Sequence, residues 1–300
     1  MMRIEKKNSL RTALLWTIND FPAYGMLSGW SVKGYHACPM CMDETSSHYL
    51  THSRKICYMG LPSSNQWRKD KKSFDGRVDM REPIIPKSGL EILHDIDNCN
   101  ISEPNCFTNT KKHKYPKDKL GWKKKSSFFK LPYWAKLKLR HNIDIMHVVK
   151  NVTESLVATL FNIKGKTKDT WRSRKDLMDQ GLKKSLHLQP NGNSFVMSMA
   201  CYHLTKDEKQ KILNLLKSLK FPDGFASNIS RCVKGGDFQL SRMKSHDFYV
   251  FIQRVLPLSI RGCLTKEVRL VLYELSEFIQ KVCTRNIYLD VIEKQEEEIV

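Results

Sequence analysis

Thr17-Ile-Asn-Asp-Phe-Pro-Ala-Tyr-Gly-Met-Leu-Ser-Gly-Trp30, with His36-Ala-Cys-Pro-Met-Cys41 close behind it, is the stretch whose reading decides the fold. Just upstream, residues 11–18 (Arg-Thr-Ala-Leu-Leu-Trp-Thr-Ile) form a short apolar run that ends at the turn residues Asn19, Asp20 and Pro22. The pattern predicts a buried strand with Asp20 at its carboxyl end. A carboxylate placed there can hold a catalytic metal, and the Cys38/Cys41 pair has the spacing of half a tetrahedral zinc site. The stretch therefore reads as a metal-holding acid beside a zinc-stabilised insertion.

The chain has 300 residues, 41% of them hydrophobic, enough for one large or two modest domains with real cores. Lys and Arg total 51 against 31 Asp and Glu, a formal charge of +20. That excess makes a polyanion the default partner, nucleic acid ahead of an anionic membrane surface. No apolar run is long enough to cross a bilayer, and Ala13-Leu-Leu-Trp16 is too short for a signal-peptide core, so an intracellular protein is expected. Nine cysteines without a secretory leader read as reduced thiols. Only Cys38 and Cys41 are spaced as ligands; His141 and His147 can supply the other half of a zinc site across a long insertion.

From Asp43 to Tyr115 the chain is polar and broken by prolines, and is expected to form loops and short elements. Residues 111–125 carry eight lysines against one aspartate, interleaved with Tyr115 and Trp122. Such a run is a solvated loop or a contact for DNA phosphate, and its aromatic residues either stack on bases or anchor the loop to a core. Helical periodicity begins after it. Ile145, Val149, Val152, Leu156 and Leu160 form a stripe predicting a helix over 143–161. Thr205-Lys-Asp-Glu208 has capping-box spacing ahead of a second helix, and a third is predicted from Lys266 to Cys283. The final pattern from Leu289 stops without a cap, so the chain is expected to be cut short.

Asp144, His147, Asn151 and Glu154 fall on one narrow face of the first helix. That face is either the solvent side of an amphipathic helix or, together with Asp20, part of a metal site. Carboxylates gathered from distant elements can hold two Mg²⁺ ions about 3.5–4 Å apart for phosphoryl transfer.

Ile18-Asn-Asp-Phe-Pro-Ala-Tyr-Gly25, Leu27-Ser-Gly-Trp30, Ala37-Cys-Pro-Met-Cys41, Arg54-Lys-Ile-Cys-Tyr-Met-Gly60 and Lys72-Ser-Phe-Asp-Gly76 resemble the plant En/Spm-type (CACTA) transposase family. Leu139-Arg-His-Asn-Ile-Asp-Ile-Met-His147, Lys150-Asn-Val152, Gly165-Lys-Thr-Lys-Asp169 and Phe221-Pro-Asp-Gly224 resemble its middle region. Leu240-Ser-Arg-Met-Lys-Ser-His-Asp247 and Leu256-Pro-Leu-Ser-Ile-Arg-Gly262 resemble the start of the domain of unknown function that follows. The resemblance implies an RNase H-like core, an acidic triad binding divalent metal, and cut-and-paste movement of DNA in the nucleus. By position Asp20 matches the second acid and Glu154 a usually acidic third, while the acid common after the His147 position is here Val148-Val149. The family's first acid lies upstream of Met1, and a His/Arg-rich stretch usual between Gly60 and Leu61 is missing.

The resulting expectation is an α/β partial RNase H-like core with a zinc-type insertion over 1–110, a basic linker and helical middle region over 111–235, and a truncated helical domain over 236–300. Its function would be that of a transposase fragment, catalytically incomplete, binding DNA through Lys111 to Lys125, with a homo-oligomer admitted and no membrane partner. Mg²⁺ would be its catalytic metal and Zn²⁺ a structural one. The alternative is a helical protein–protein module whose positive charge only keeps it soluble.

Overall fold

The computed structural model describes residues 12–58, 84–99, 101, 121–192, 194–234, 237–238, 242–284 and 286. In chain order its elements begin with β1 (Thr17–Asn19), α1 (Phe21–Ser28), β2 (Ser47–Leu50), β3 (Lys55–Tyr58), α2 (Gly89–Asn98) and β4 (His141–Ile143). Next come α3 (Ile145–Leu160), α4 (Trp171–Asp179), β5 (Gln189–Asn191), β6 (Ser194–Val196), α5 (Lys206–Ser218), β7 (Val233–Lys234) and β8 (Asp237–Phe238). The last are α6 (Ser245–Val250), α7 (Leu256–Ser259) and α8 (Lys266–Val282). Two compact units emerge, one drawn from Met1–Ser46 and Ile84–Asp144, the other from Ser47–Pro83 and Ile145–Val300.

In the first unit β1 pairs in parallel with β4, Thr17 opposite His141 and Asn19 opposite Ile143. The predicted strand is thus present and Asp20 does follow its carboxyl end, but the strand is not buried. Ile18 is 64% exposed, Leu15 and Trp16 are exposed too, and only Asn19 goes inside. Strand pairing ties up backbone groups; side chains are buried only where a second layer packs on them, which here happens at Asn19. Asp20 ends the strand by capping α1, its Oδ1 accepting from Ala23 N at 2.8 Å, with Pro22 in the first turn where its missing N–H costs nothing.

The small core of this unit is Trp30, Met42, Ile92, Ile96, Ile101 and Trp122. Gly29 closes α1 in the left-handed region, φ 86°, and brings Trp30 against the 121–123 segment. Ser31 N–H donates to Gly121 O at 2.8 Å and Lys123 N–H to Gly29 O at 2.9 Å. The Trp30 and Trp122 rings meet edge to face, 5.0 Å between centroids. Trp122, at the end of the basic run, therefore anchors to the core. A Cβ on Gly29 would collide with Lys124 O. Gly29→Ala is therefore expected to lower stability by about 1–3 kcal/mol from backbone strain alone, read as a fall in the thermal midpoint; an unchanged midpoint would mean this turn is not held as described.

Helix α2 lies in the region expected to hold loops and short elements. Its Ser88/Glu91 capping box is complete, with Ile92 and Ile96 turned inward. Residues 59–83 and 102–120, which include most of the basic run, lie outside the described residues.

The second unit is largely helical. Its core joins Val157 and Ala158 of α3, Ile212 and Leu216 of α5, Phe251, Ile252 and Ile260 around α6–α7, and Leu272 and Ile279 of α8. The capping box at Thr205/Glu208 starts α5 as predicted, and α8 spans nearly the predicted range. Helix α3 starts at Ile145, so Asp144 precedes it. Its buried line runs through Val149, Thr153 and Val157, whereas Ile145 and Val152 of the predicted stripe are exposed, because Thr153 takes the inward position between the two valines. A π turn, Phe251–Val255, links α6 to α7 directly ahead of Pro257, which lacks the N–H that an unbroken α-helix requires there. Among the described residues no helix is long and apolar enough to cross a membrane.

Candidate metal and nucleic-acid site

Two adjacent parallel strands, each followed directly by an aspartate, create the most chemically pointed feature of the first unit. Asn19 and Ile143 are the last register partners of β1 and β4, so Asp20 and Asp144 leave the pair side by side at one edge. The arrangement is fixed by the backbone: Asp144 N–H donates to Asn19 O at 2.7 Å. Beneath it a side-chain chain stitches the strands together, Asn19 Nδ2 donating to Thr17 Oγ1 at 2.7 Å and Thr17 Oγ1 bonding His141 Nδ1 at 2.7 Å. Sequence reasoning placed Asp144 on a helix face with His147, Asn151 and Glu154. The signal that finds it instead is the pair of short runs Thr-Ile-Asn-Asp20 and His-Asn-Ile-Asp144, both extended segments stopping at an acid.

His141 stands among the rings of Tyr24, Phe128 and Trp134. Burial and then the neighbouring Arg140 guanidinium push its pKa down to about 4, so it is neutral at pH 7. Burial raises the Tyr24 phenol and lowers the Arg140 guanidinium. Arg140 Nη1 donates to Leu137 O at 2.9 Å, and among the described residues no carboxylate pairs with it.

Cys38 and Cys41 share one turn, where Cys41 N–H donates to Cys38 Sγ at 3.4 Å and Met42 takes a left-handed backbone, φ 49°. Burial, with Cys38 alongside, pushes the Cys41 thiol up to about 11. The expected zinc set also includes His141 and His147. His141 is engaged by Thr17, and His147 belongs to the second unit. Among the described residues no group of three or more His, Cys, Asp or Glu side chains is placed to hold a metal ion. Glu154, also in the second unit, is half-buried and ion-paired with Lys166 at 3.0 Å.

Asp20 and Asp144 offer a different donor set. Both are hard oxygen ligands, and one oxygen of Asp20 remains after the cap to Ala23 is made. Mg²⁺ characteristically takes one or two carboxylates and completes its shell with water and substrate phosphates. The pair fits that pattern.

A cavity of about 740 Å³ opens beside these strands, its wall including Tyr24 of α1 and His141, Asn142 and Ile143 of β4. It lies wholly within the first unit.

Residues 3–99 are similar to the family model described as transposase family tnp2, and the matched stretch includes Asp20, Cys38 and Cys41. No curated protein and no solved structure matches.

Proposed function

We propose that this chain is a transposon-derived, DNA-binding protein of the En/Spm (CACTA) type, whose first unit carries part of an RNase H-like metal site in Asp20 and Asp144. The single observation that supports this reading most is the parallel pairing of β1 with β4, which sets two carboxylates from positions far apart in sequence at one edge. The transposase-family segment that includes the first of those acids supports it independently. Bound Mg²⁺ would supply charge neutralisation at a phosphodiester and activation of the attacking oxygen. The protein's own share is to hold the two acids on one backbone-fixed edge, which shortens the search for a shared geometry when DNA arrives. We assign binding of DNA and divalent cation to this chain; strand cleavage of this type draws on more carboxylates than these two.

The charge of +20 gives the experiment its form. Duplex DNA binding, followed by fluorescence anisotropy, is expected to weaken by a factor of about 10³ between about 50 and 200 mM salt as phosphate counterions are released. Undetectable binding at the low-salt end would sink the reading and leave the protein–protein module in its place.

A further inference from the structure

Helix α4 opens on a tryptophan that the fold leaves outside. Trp171 is 53% exposed, although an indole has much to gain from burial, and the Arg172 guanidinium lies over its ring, 5.4 Å from the centroid. One turn along, Lys175 stands on the same face, since residues four apart are neighbours on a helix surface. The β5–β6 hairpin contributes Phe195, 58% exposed. Trp171, Lys175 and Phe195 line one hollow of about 370 Å³, completed by Leu188 and Met197, all within the second unit. Its two rings are therefore open to a ligand arriving from solvent.

The charge along this surface is one-sided. Residues 164–175 hold Lys164, Lys166, Lys168, Arg172, Arg174 and Lys175 against a single acid, Asp169. Arg174 and Asp169 neutralise each other inside, and Lys166 pairs with Glu154. Lys164, Lys168, Arg172 and Lys175 have no ion-pair partner among the described residues. The acids further along α4 are already engaged: Asp176 accepts from the backbone N–H groups of His52 and Ser53, and Asp179 bonds His52 Nε2 at 2.7 Å.

We propose that this surface of α4 and the β5–β6 hairpin binds single-stranded DNA, a base stacking at Trp171 and Phe195 while backbone phosphates take Lys175, Arg172 and Lys168. The inference rests on the DNA-binding reading given above and goes beyond it by naming the strand state and the surface. Solvent-open rings interleaved with unpaired cations are the chemistry that tracks a single strand, because each nucleotide brings a flat face and a negative charge together. In a duplex the bases stack on one another, and their faces are not free to meet the two rings. The surface also lies apart in sequence from the basic run Lys111 to Lys125, so the second unit has a DNA contact of its own.

The test is competition anisotropy on the intact chain with two strands of equal length and charge, a thymine oligonucleotide and the same deoxyribose-phosphate chain without bases, beside a duplex. Stacking is expected to make the thymine strand bind about tenfold more tightly than the baseless one. Trp171→Ala and Phe195→Ala are each expected to cut that preference to below about threefold. Lys175→Gln removes a phosphate contact, so it should weaken both strands alike and lower the slope of log affinity against log salt by about 0.7. Should a ring variant fail to fold, as read by circular dichroism, the Lys175→Gln slope decides, and an unchanged slope overturns the site. Equal binding of the two strands, or a preference that persists in both ring variants, overturns the site while duplex binding leaves the DNA-binding reading standing. Absence of binding to both strands and the duplex at low salt overturns both.

Discussion

Replacing Arg174 by alanine is expected to destabilise the second unit by about 3–5 kcal/mol, the range for removing one partner of a buried ion pair. The Arg174 side chain is 0% exposed and Asp169 3%. The guanidinium forks onto the carboxylate, Nε to Oδ1 at 2.8 Å and Nη2 to Oδ2 at 2.7 Å, and its Nη1 donates to Ser198 O at 2.7 Å. Tyr202 OH donates to Asp169 Oδ2 at 3.1 Å, and His203 Nε2 lies 3.1 Å from the same oxygen. The cluster binds α4 to the segment around 198–203, which makes no regular secondary structure of its own. Without Arg174 a carboxylate remains buried with two neutral neighbours. Since whole domains are stable by only about 5–15 kcal/mol, such a loss is large. Arg174→Lys retains the charge but not the fork and should fall between the two. The double change Arg174→Met with Asp169→Leu, which leaves no stranded charge, should recover much of the loss. Chemical denaturation measures all three, and an Arg174→Ala curve superimposed on the parent's would remove the cluster from the account.

The same cluster sets an acid limit. Burial alone would raise the Asp169 pKa, but hydrogen bonds and charge from Arg174 outweigh it and hold the group below 3.8. Burial holds His203 below its ordinary 6.5. Both groups bind protons more readily in the unfolded chain, so each contributes stability above its unfolded value and loses it as pH falls through its folded one. Stability should therefore begin to decline below pH 6.5 through His203 and decline further below 3.8 through Asp169.

Asp144→Asn is expected to weaken Mn²⁺ binding in the presence of duplex DNA by at least roughly 100-fold, since losing even an outer-shell partner of a metal ligand costs 10- to 100-fold. Asp20→Asn should have a matching effect. Asparagine is the informative substitution at both positions. At Asp20 it retains an oxygen to accept from Ala23 N–H, so α1 keeps its cap and the change isolates the charge. Mn²⁺ serves as the paramagnetic stand-in for Mg²⁺, and its spin-resonance signal counts free ion directly. DNA should tighten the ion's binding to the parent protein, because phosphate oxygens complete the shell. If Asp20→Asn weakens the ion and Asp144→Asn does not, the strand edge is not a shared site.

What the sequence reveals follows how local each signal is. The Thr205/Glu208 box and the amphipathic run of α8 are short-range patterns, and both helices sit where the pattern places them. Asp20 at a strand end is equally local. Its neighbour Asp144 was harder to see, because the pairing of β1 with β4 spans a separation of 124 residues and leaves no periodic trace. The alternating division of the chain into two units is hidden for the same reason. Arg174 and Asp169 look like ordinary surface charges in sequence; only the fold shows that both are buried. Helix α2 carries a local signal, since Ser88-Gly-Leu-Glu91 is a capping box, but Pro83 and Pro86 just ahead of it are equally the mark of a loop.

The long excursion between β1 and β4 also bears on how this protein can change. Closing a loop costs free energy that grows only with the logarithm of its length, about 0.6 kcal/mol for each doubling. Segments between the strands can lengthen or shorten considerably while the edge carrying Asp20 and Asp144 keeps its geometry. The kinetic consequence is opposite in sign: pairings at such separation slow folding, because the loop must close before they form. The acidic edge is thus cheap to preserve through insertion and deletion, yet the distant pairing that builds it is expected to slow the folding of the first unit.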